Sequence, residues 1–310
     1  MLGDMGIALQ RTLRAAVGCH GVGLHSGEPV ELILWPAAPG TGVVFRRSDA
    51  AAEIAARWDN TIESCLATVL SNGEGVRIGT VEHLMAALAA RGIDNVIVEL
   101  DGPEVPIMDG SAAPFLALID RAGTVIQDAA RRAIKILKPV RAVAEGGAEA
   151  ALLPDHGFSM SFEIDFDNPL ICRQDLQLSF DEGTFDAELS RARTFALHDE
   201  VMRLQAVGLA LGGSLDNAVV VSGDRVLNDG GLRYADEFVR HKLLDAFGDL
   251  YLAGGPIIGQ FRGTRSGHAL TRRLLYALFA DAEAWCFTTI AEAKPLAPAI
   301  WPEARSAVRV

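Results

Sequence analysis

His241, Asp245 and Asp249 follow one another at steps of four in the stretch Phe238-Val-Arg-His-Lys-Leu-Leu-Asp-Ala-Phe-Gly-Asp-Leu250. On a helix that spacing puts all three on one face. Phe238, Leu243, Leu244, Phe247 and Leu250 supply enough apolar surface to dock the helix on a core. A dry helix face ordinarily carries Leu or Ala, so an imidazole and two carboxylates there require a partner. A divalent cation meets the requirement, because neutral imidazole nitrogen and carboxylate oxygen are its ordinary ligands. Taken alone, the stretch reads more simply as a solvated polar face with an i,i+4 His–Asp pair, since short polar spacings recur by chance.

Further residues bear on the choice. Glu82 and His83 sit side by side in Thr80-Val-Glu-His-Leu84, at the start of an apolar helical pattern. Catalytic zinc usually takes three protein ligands and leaves a fourth position for water. His83, His241 and Asp245 form such a two-histidine, one-carboxylate set. Glu82 is close enough to serve as general base toward that water, whose acidity the metal raises. The simpler readings are a helix-dipole partner for Glu82 and a core histidine for His83. His268 follows Ser266-Gly267 in a turn after a strand, where a protonated imidazole can serve a leaving amine and Asp249 can orient it. Thr194, between Arg193 and Phe195, can offer a hydroxyl to a developing oxyanion; a strand-end cap is the plainer alternative.

These residues need a scaffold that brings distant segments together. The 310 residues suffice for one large or two medium domains, and half of them are hydrophobic. A net charge of −12 makes the chain a poor non-specific ligand for nucleic acid, so an anionic substrate must meet a local basic pocket. Cys19, Cys65, Cys172 and Cys286 are scattered with no CxxC pair, which argues against a thiolate zinc site or a disulfide framework. There is no signal-like N-terminus and no apolar run of the ~18 residues a membrane span needs, so the expectation is a cytoplasmic, soluble chain, taken as a monomer.

Glycines and histidines from Leu13 to Val30 read as a turn between strands, with Glu31–Trp35 the strand that follows. A helix is expected from an N-cap at Thr80, its stripe made by Val81, Leu84, Met85 and Leu88. Then come a strand over Asp94–Leu100, a proline-stiffened loop and a helix over Ala113–Ala122. The polar, basic segment Gln127–Arg132 divides the chain into domains 1–128 and 129–310. The second half reads as strands Ala133–Val143 and Phe158–Phe166 and a polar segment through Gly183. A helix over Asp199–Val207, strands Ala218–Ser222 and Ile257–Phe261 and a helix over Ala269–Ala280 follow. A loose tail begins at about residue 294. Each half sets one histidine, His83 or His241, near the start of an apolar helix, a faint echo that two facing α/β lobes would turn into a shared interface.

Seven ordered stretches resemble one family, the UDP-3-O-acyl-N-acetylglucosamine deacetylases, zinc amidases of lipid A synthesis in Gram-negative bacteria. They are Gly21-Val-Gly-Leu-His-Ser-Gly27, Thr80-Val-Glu-His-Leu84, Pro106-Ile-Met-Asp-Gly-Ser-Ala-Ala-Pro-Phe115, Ala192-Arg-Thr-Phe195, Leu211-Gly-Gly-Ser-Leu-Asp216, Asp236-Glu-Phe-Val-Arg-His-Lys-Leu-Leu-Asp245 and Ser266-Gly-His-Ala-Leu270, spread over about residues 10 to 290. The resemblance implies an α+β fold of two similar two-layer α/β sandwich domains with the metal between them. It assigns His83, His241 and Asp245 as Zn2+ ligands (Fe2+ being possible in the cell), Glu82 as base, His268 as acid supported by Asp249, and Thr194 as oxyanion donor. Lys242 becomes a polar partner near the substrate, Phe195 lies against the sugar and Phe166 in the nucleotide-side pocket. An acyl groove between Leu197 and Val219 uses Val201, Ala210, Ser214 and Leu215. The implied reaction is release of acetate from the glucosamine nitrogen of a UDP-linked, 3-O-acylated sugar, the committed step of lipid A synthesis. Leu215 stands where a phenylalanine is common and His198 where an apolar residue is common. No basic residue lies around Gly146-Gly147, leaving Arg265 to carry charge near the diphosphate. The alternatives are a catalytically silent acyl- or nucleotide-binding protein, which needs neither Glu82 nor His268, and a metal phosphoesterase, which would use further carboxylates for a second metal.

Overall fold

The computed structural model describes residues 7–64 and 66–290; Cys65 and the expected tail from about 294 lie outside them. The fold is mixed α+β, with six α-helices and five sheets among the described residues.

Alternating apolar residues in Pro29–Pro36 and Val96–Leu100 bury Leu32, Leu34, Val96, Val98 and Leu100 on one face. These strands sit in a five-stranded sheet of order Val17–Val22, Pro29–Pro36, Val96–Leu100, Val43–Arg47, Ala52–Ala55, antiparallel except between Val43–Arg47 and Val96–Leu100. Within the stretch expected as a glycine-rich turn, Val17–Val22 is therefore a strand. Its ladder to Pro29–Pro36 overrides the weak strand propensity of Gly18 and Gly21.

The second half builds a seven-stranded sheet around Ile257–Thr264. That strand pairs in parallel with Arg132–Ile136 and Phe158–Asp165 and antiparallel with Glu149–Leu153. The segment read as merely polar contains an edge strand, Arg173–Ser179, antiparallel to Phe158–Asp165. Its period-two pattern turns Gln174, Leu176 and Leu178 inward, and the glutamine disguised it. Residues Thr124–Ala130, around the expected boundary, form a strand paired with Leu9–Leu13, and the chain enters the larger sheet at Arg132.

The helices are α1 (Glu82–Ala90), α2 (Ala113–Ala122), α3 (Thr184–Glu188), α4 (His198–Ala206), α5 (Glu237–Tyr251) and α6 (His268–Ala280). Helix α2 packs on Val17–Val22 and α1; α5 packs on Phe158–Asp165, Arg173–Ser179 and α6; α6 packs on Val140–Val143 and Glu149–Leu153. Helices α1 and α5 then pack directly on each other. Gly248 on α5 makes this possible, because a Cβ there would overlap the carbonyl oxygen of Glu82. Sandwiched in this way, α1 is buried from Glu82 through Leu88 rather than on one stripe.

Two helix starts differ from expectation. Thr80 does not cap α1: it has a left-handed φ of 57°, and its hydroxyl donates to Glu104 at 2.7 Å. The Glu104 carboxylate also accepts from the backbone N–H of His25 and of Ser26, and so pins the first glycine loop. His268 is not in a turn but is the first residue of α6, with Gly267 as N-cap.

Candidate metal centre

The α1–α5 packing brings together side chains more than 150 residues apart in sequence. His83 from α1 and His241 and Asp245 from α5 offer ligand atoms all within 4.8 Å of one another. The three are 3%, 2% and 5% exposed, which overturns the solvated-face reading. His241 Nδ1 lies 3.0 Å from the Ala192 carbonyl oxygen. A carbonyl can only accept, so Nδ1 carries a hydrogen and Nε2 is the nitrogen turned toward Asp245. His83 Nε2 and His241 Nε2 stand 3.4 and 3.2 Å from Asp245 Oδ1, yet that buried oxygen has no hydrogen-bond partner. A buried carboxylate oxygen left without a hydrogen-bond partner between two imidazole nitrogens calls for a cation or a proton among them. Burial pushes the His83 imidazole toward its neutral form. Burial opposes ionisation of Asp245, but His241 and Lys242 hold its carboxyl well below the usual range. Neutral imidazole and ionised carboxylate are the forms that bind zinc, so the residues fit the metal.

Asp249 and His268 complete the pocket. Asp249 Oδ2 lies 2.8 Å from His268 Nδ1, which turns Nε2 toward Glu82 Oε1 at 3.8 Å and Asp245 Oδ2 at 3.7 Å. Burial alone would lower the His268 pKa; Asp249, then Glu82 and Asp245, raise it to about 9. Burial pushes Glu82 up to about 7, with His268 opposing and Asp249 and Asp245 adding to the rise. Both groups are thus raised above their ordinary values, and they face each other across 3.8 Å. Lys242 Nζ lies 2.6 Å from Asp245 Oδ2, so the lysine anchors the carboxylate oxygen opposite the orphan.

The Thr80, Asp236 and Ser266 stretches thus meet at one site, which the Ala192 stretch reaches through its carbonyl on His241. The scan for known families matches residues 10–280 to the model described as LpxC, UDP-3-O-acyl N-acetylglycosamine deacetylase. The chain belongs to the LpxC family. It is 52% identical over 287 residues to a UDP-3-O-acyl-N-acetylglucosamine deacetylase of Vibrio vulnificus, covering 91% of this chain and 94% of that one. It is 51% identical over 287 residues to the Vibrio parahaemolyticus protein of that name. To the Shewanella frigidimarina protein it is 51% identical over 280 residues, 89% of this chain and 91% of the other. LpxC proteins are zinc-dependent, in keeping with the histidine–carboxylate triangle.

The other expected site residues of this LpxC chain fall into two groups. Phe195 borders the centre, its ring 6.3 Å from that of His241 and 5.6 Å from that of Phe166, and the N–H of the preceding Thr194 donates to the Gly110 carbonyl at 2.8 Å. Gly110 has a φ of 82°, and a Cβ there would overlap the Asn217 carbonyl oxygen. Leu197 and Val219 lie on parallel paired strands, Phe195–Leu197 and Val219–Ser222. Helix α4, which carries Val201, buries none of its residues, so it is not an ordinary core helix. Leu215, Leu211, Met202 and Val207 are exposed and Ser214 lies beside them in the chain, while Ala210 and Val219 are buried. Arg265 Nη2 donates to the Gly146 carbonyl at 2.6 Å, which brings it to the Gly146-Gly147 turn.

Sequence reasoning missed two supports. Glu237, fully buried, accepts from Arg193 Nε and N–H at 2.9 and 3.0 Å and from the Arg233 N–H at 2.6 Å, tying the start of α5 to the Thr194 strand. Arg193 and Glu237 both lie inside the quoted motifs, and opposite charges there were the available signal. Thr68, outside all seven stretches, donates its backbone N–H to Glu82 Oε2 at 3.0 Å and its hydroxyl to Asp249 Oδ1 at 2.5 Å.

Proposed function

We propose that the chain hydrolyses the N-acetyl amide of UDP-3-O-(3-hydroxyacyl)-N-acetylglucosamine, releasing acetate and a free amine, as a zinc-dependent deacetylase of lipid A biosynthesis. Membership of the family over residues 10–280 carries this reading. The orphaned Asp245 Oδ1 facing two imidazoles supports it.

His83, His241 and Asp245 would hold the metal. When bound, zinc supplies Lewis acidity that polarises the amide carbonyl and acidifies water. Fe2+ is the alternative that the same nitrogen and oxygen donors accept. Glu82 takes the proton of the attacking water through Oε1, since Oε2 already accepts the Thr68 N–H. The Thr194 hydroxyl donates to the oxyanion as the carbon–oxygen bond forms. His268, protonated because Asp249 holds its Nδ1 hydrogen, donates from Nε2 to the departing nitrogen as the carbon–nitrogen bond breaks. Lys242 faces the substrate beside Asp245, Phe195 lies against the sugar, Phe166 in the nucleotide pocket, and Arg265 near the diphosphate. The acyl chain follows Leu197, Val201, Ala210, Ser214, Leu215 and Val219, a reading supported by the exposed apolar residues along α4 and after it.

The same reading takes residues 1–128 and 129–310 as two similar two-layer sandwiches meeting at α1 and α5, in a monomer. No helix among the described residues is long and apolar enough to cross a membrane, and Cys19, Cys172 and Cys286 are free thiols. Both agree with a cytoplasmic enzyme. The test is free-amine release from the acylated UDP-sugar, with and without a chelator. Chelator-sensitive release is expected, and binding without release, or phosphate-ester cleavage instead, would overturn it.

A further inference from the structure

Between the general base and the acid's carboxylate lies one residue that bonds to both. Thr68 is 7% exposed and immediately precedes the short strand Val69–Ser71. Its hydroxyl is 2.5 Å from Asp249 Oδ1 and 3.1 Å from His268 Nδ1. Nδ1 is also 2.8 Å from Asp249 Oδ2, so it bears a hydrogen and cannot accept one from the threonine. The hydroxyl hydrogen therefore goes to Asp249 Oδ1. The carboxylate is then fixed by one donor on each oxygen, Thr68 on Oδ1 and His268 on Oδ2. The backbone N–H of the same residue donates to Glu82 Oε2 at 3.0 Å, which leaves Oε1 as the oxygen facing His268 Nε2 across 3.8 Å.

We propose that Thr68 is the positioning residue of the acid–base pair: its amide aims Glu82, and its hydroxyl aims His268 through Asp249. This deepens, and rests on, the deacetylase reading above. Two carboxylates and an imidazole, all buried, would otherwise be free to rotate about their terminal torsions. A side chain locked by a neighbour's hydrogen bond holds its reacting atom without reorganisation during the reaction. The gap between Oε1 and Nε2 is where water enters and the amine leaves, so its width is set from Thr68. Thr68 touches neither substrate nor metal in this scheme and acts only through its two partners.

The experiment compares Thr68→Val, which keeps shape and the backbone N–H but loses the hydroxyl, with Thr68→Ser, which restores the hydroxyl. Both are made in the full zinc-loaded chain, with zinc content measured for each. Thr68→Val is expected to lower kcat about 10–100-fold with KM and zinc content unchanged, the cost typical of removing a supporting hydrogen bond. Thr68→Ser is expected to recover most of that loss, and Thr68→Ala replaces the valine variant should the latter not fold. In an Asp249→Asn background Thr68→Val should cost little more, because the carboxylate it aims is gone. A second readout needs no turnover: the urea unfolding constants of Thr68→Val, Asp249→Asn and the double variant should show coupling of about tenfold, as for directly bonded pairs. Full turnover in Thr68→Val, no rescue by serine, an equal loss in the Asp249→Asn background, or additive unfolding constants would each overturn the proposal. An inactive wild-type chain would instead overturn the deacetylase reading, and the unfolding cycle would still judge the bond between Thr68 and Asp249.

Discussion

Gly248 on α5 lies so close to Glu82 on α1 that a single methyl group on the glycine would overlap the glutamate's carbonyl oxygen. That approach sets the separation of the two helices, and with it the distance from His83 to His241 and Asp245. Ring centroids of His83 and His241 are 4.9 Å apart, nearly perpendicular, as a result.

Gly248→Ala should therefore do more than cost stability. Overpacking at a close helix contact is worth about 1–3 kcal/mol, but spreading α1 from α5 also pulls the ligand set apart. The expected outcome is a lower melting temperature and weakened zinc binding together, measured by calorimetry and zinc titration. Unchanged zinc affinity would show that helix spacing does not govern the centre.

Zinc should stabilise the fold itself. Asp245 Oδ1, buried beside two imidazoles without a hydrogen-bond partner, carries a cost that a bound metal would remove. At a zinc concentration 100-fold above Kd, the linkage adds about 2.7 kcal/mol. Thermal denaturation with zinc or with chelator checks this, and His241→Ala should abolish the difference.

Glu82→Gln and His268→Gln should each lower kcat by about 10²–10⁴-fold, the usual worth of a general base or acid. Neither side chain is among the proposed metal ligands, so zinc content should hold. Metal analysis beside the amine-release assay separates loss of chemistry from loss of zinc.

The alkaline limb of the rate profile should report His268. Its imidazolium is held up to about 9 in the metal-free chain, chiefly by Asp249 against the opposing effect of burial. An acid works only while protonated, so the rate falls as pH rises through the His268 pKa, which a cation bound at Asp245 shifts below that value. Asp249→Asn removes the largest support of the charged form, and the limb should move to lower pH. A pH series of kcat on both proteins measures the shift.

Glu237→Ala tests the support beneath Thr194. The Arg193 guanidinium, 9% exposed at its side chain, would be left buried without its carboxylate, at a cost of about 3–5 kcal/mol. Denaturant unfolding should show it.

How much was legible in the sequence varied with the kind of interaction. Ala113–Ala122 appeared at its true bounds, and α5 within one residue at either end, because local periodicity decides such helices. The candidate metal triangle was legible only through the resemblance to a family, because steps of four on one helix read more simply as a solvated polar face and His83 lies on another helix. Thr68 was not, since a threonine before a short strand has no local signature; its meaning comes from Asp249 and Glu82, 181 and 14 residues away. The edge strand Arg173–Ser179 was hidden by one polar residue, Gln174, on its inward face, and Thr80 was misjudged because its left-handed backbone sends the hydroxyl to Glu104.

Diffraction at the zinc absorption edge from crystals of the zinc-loaded chain tests the metal centre most directly. One anomalous peak is expected about 2.0–2.2 Å from His83 Nε2, His241 Nε2 and a carboxylate oxygen of Asp245. A peak bound to other residues, or none between α1 and α5, would contradict it.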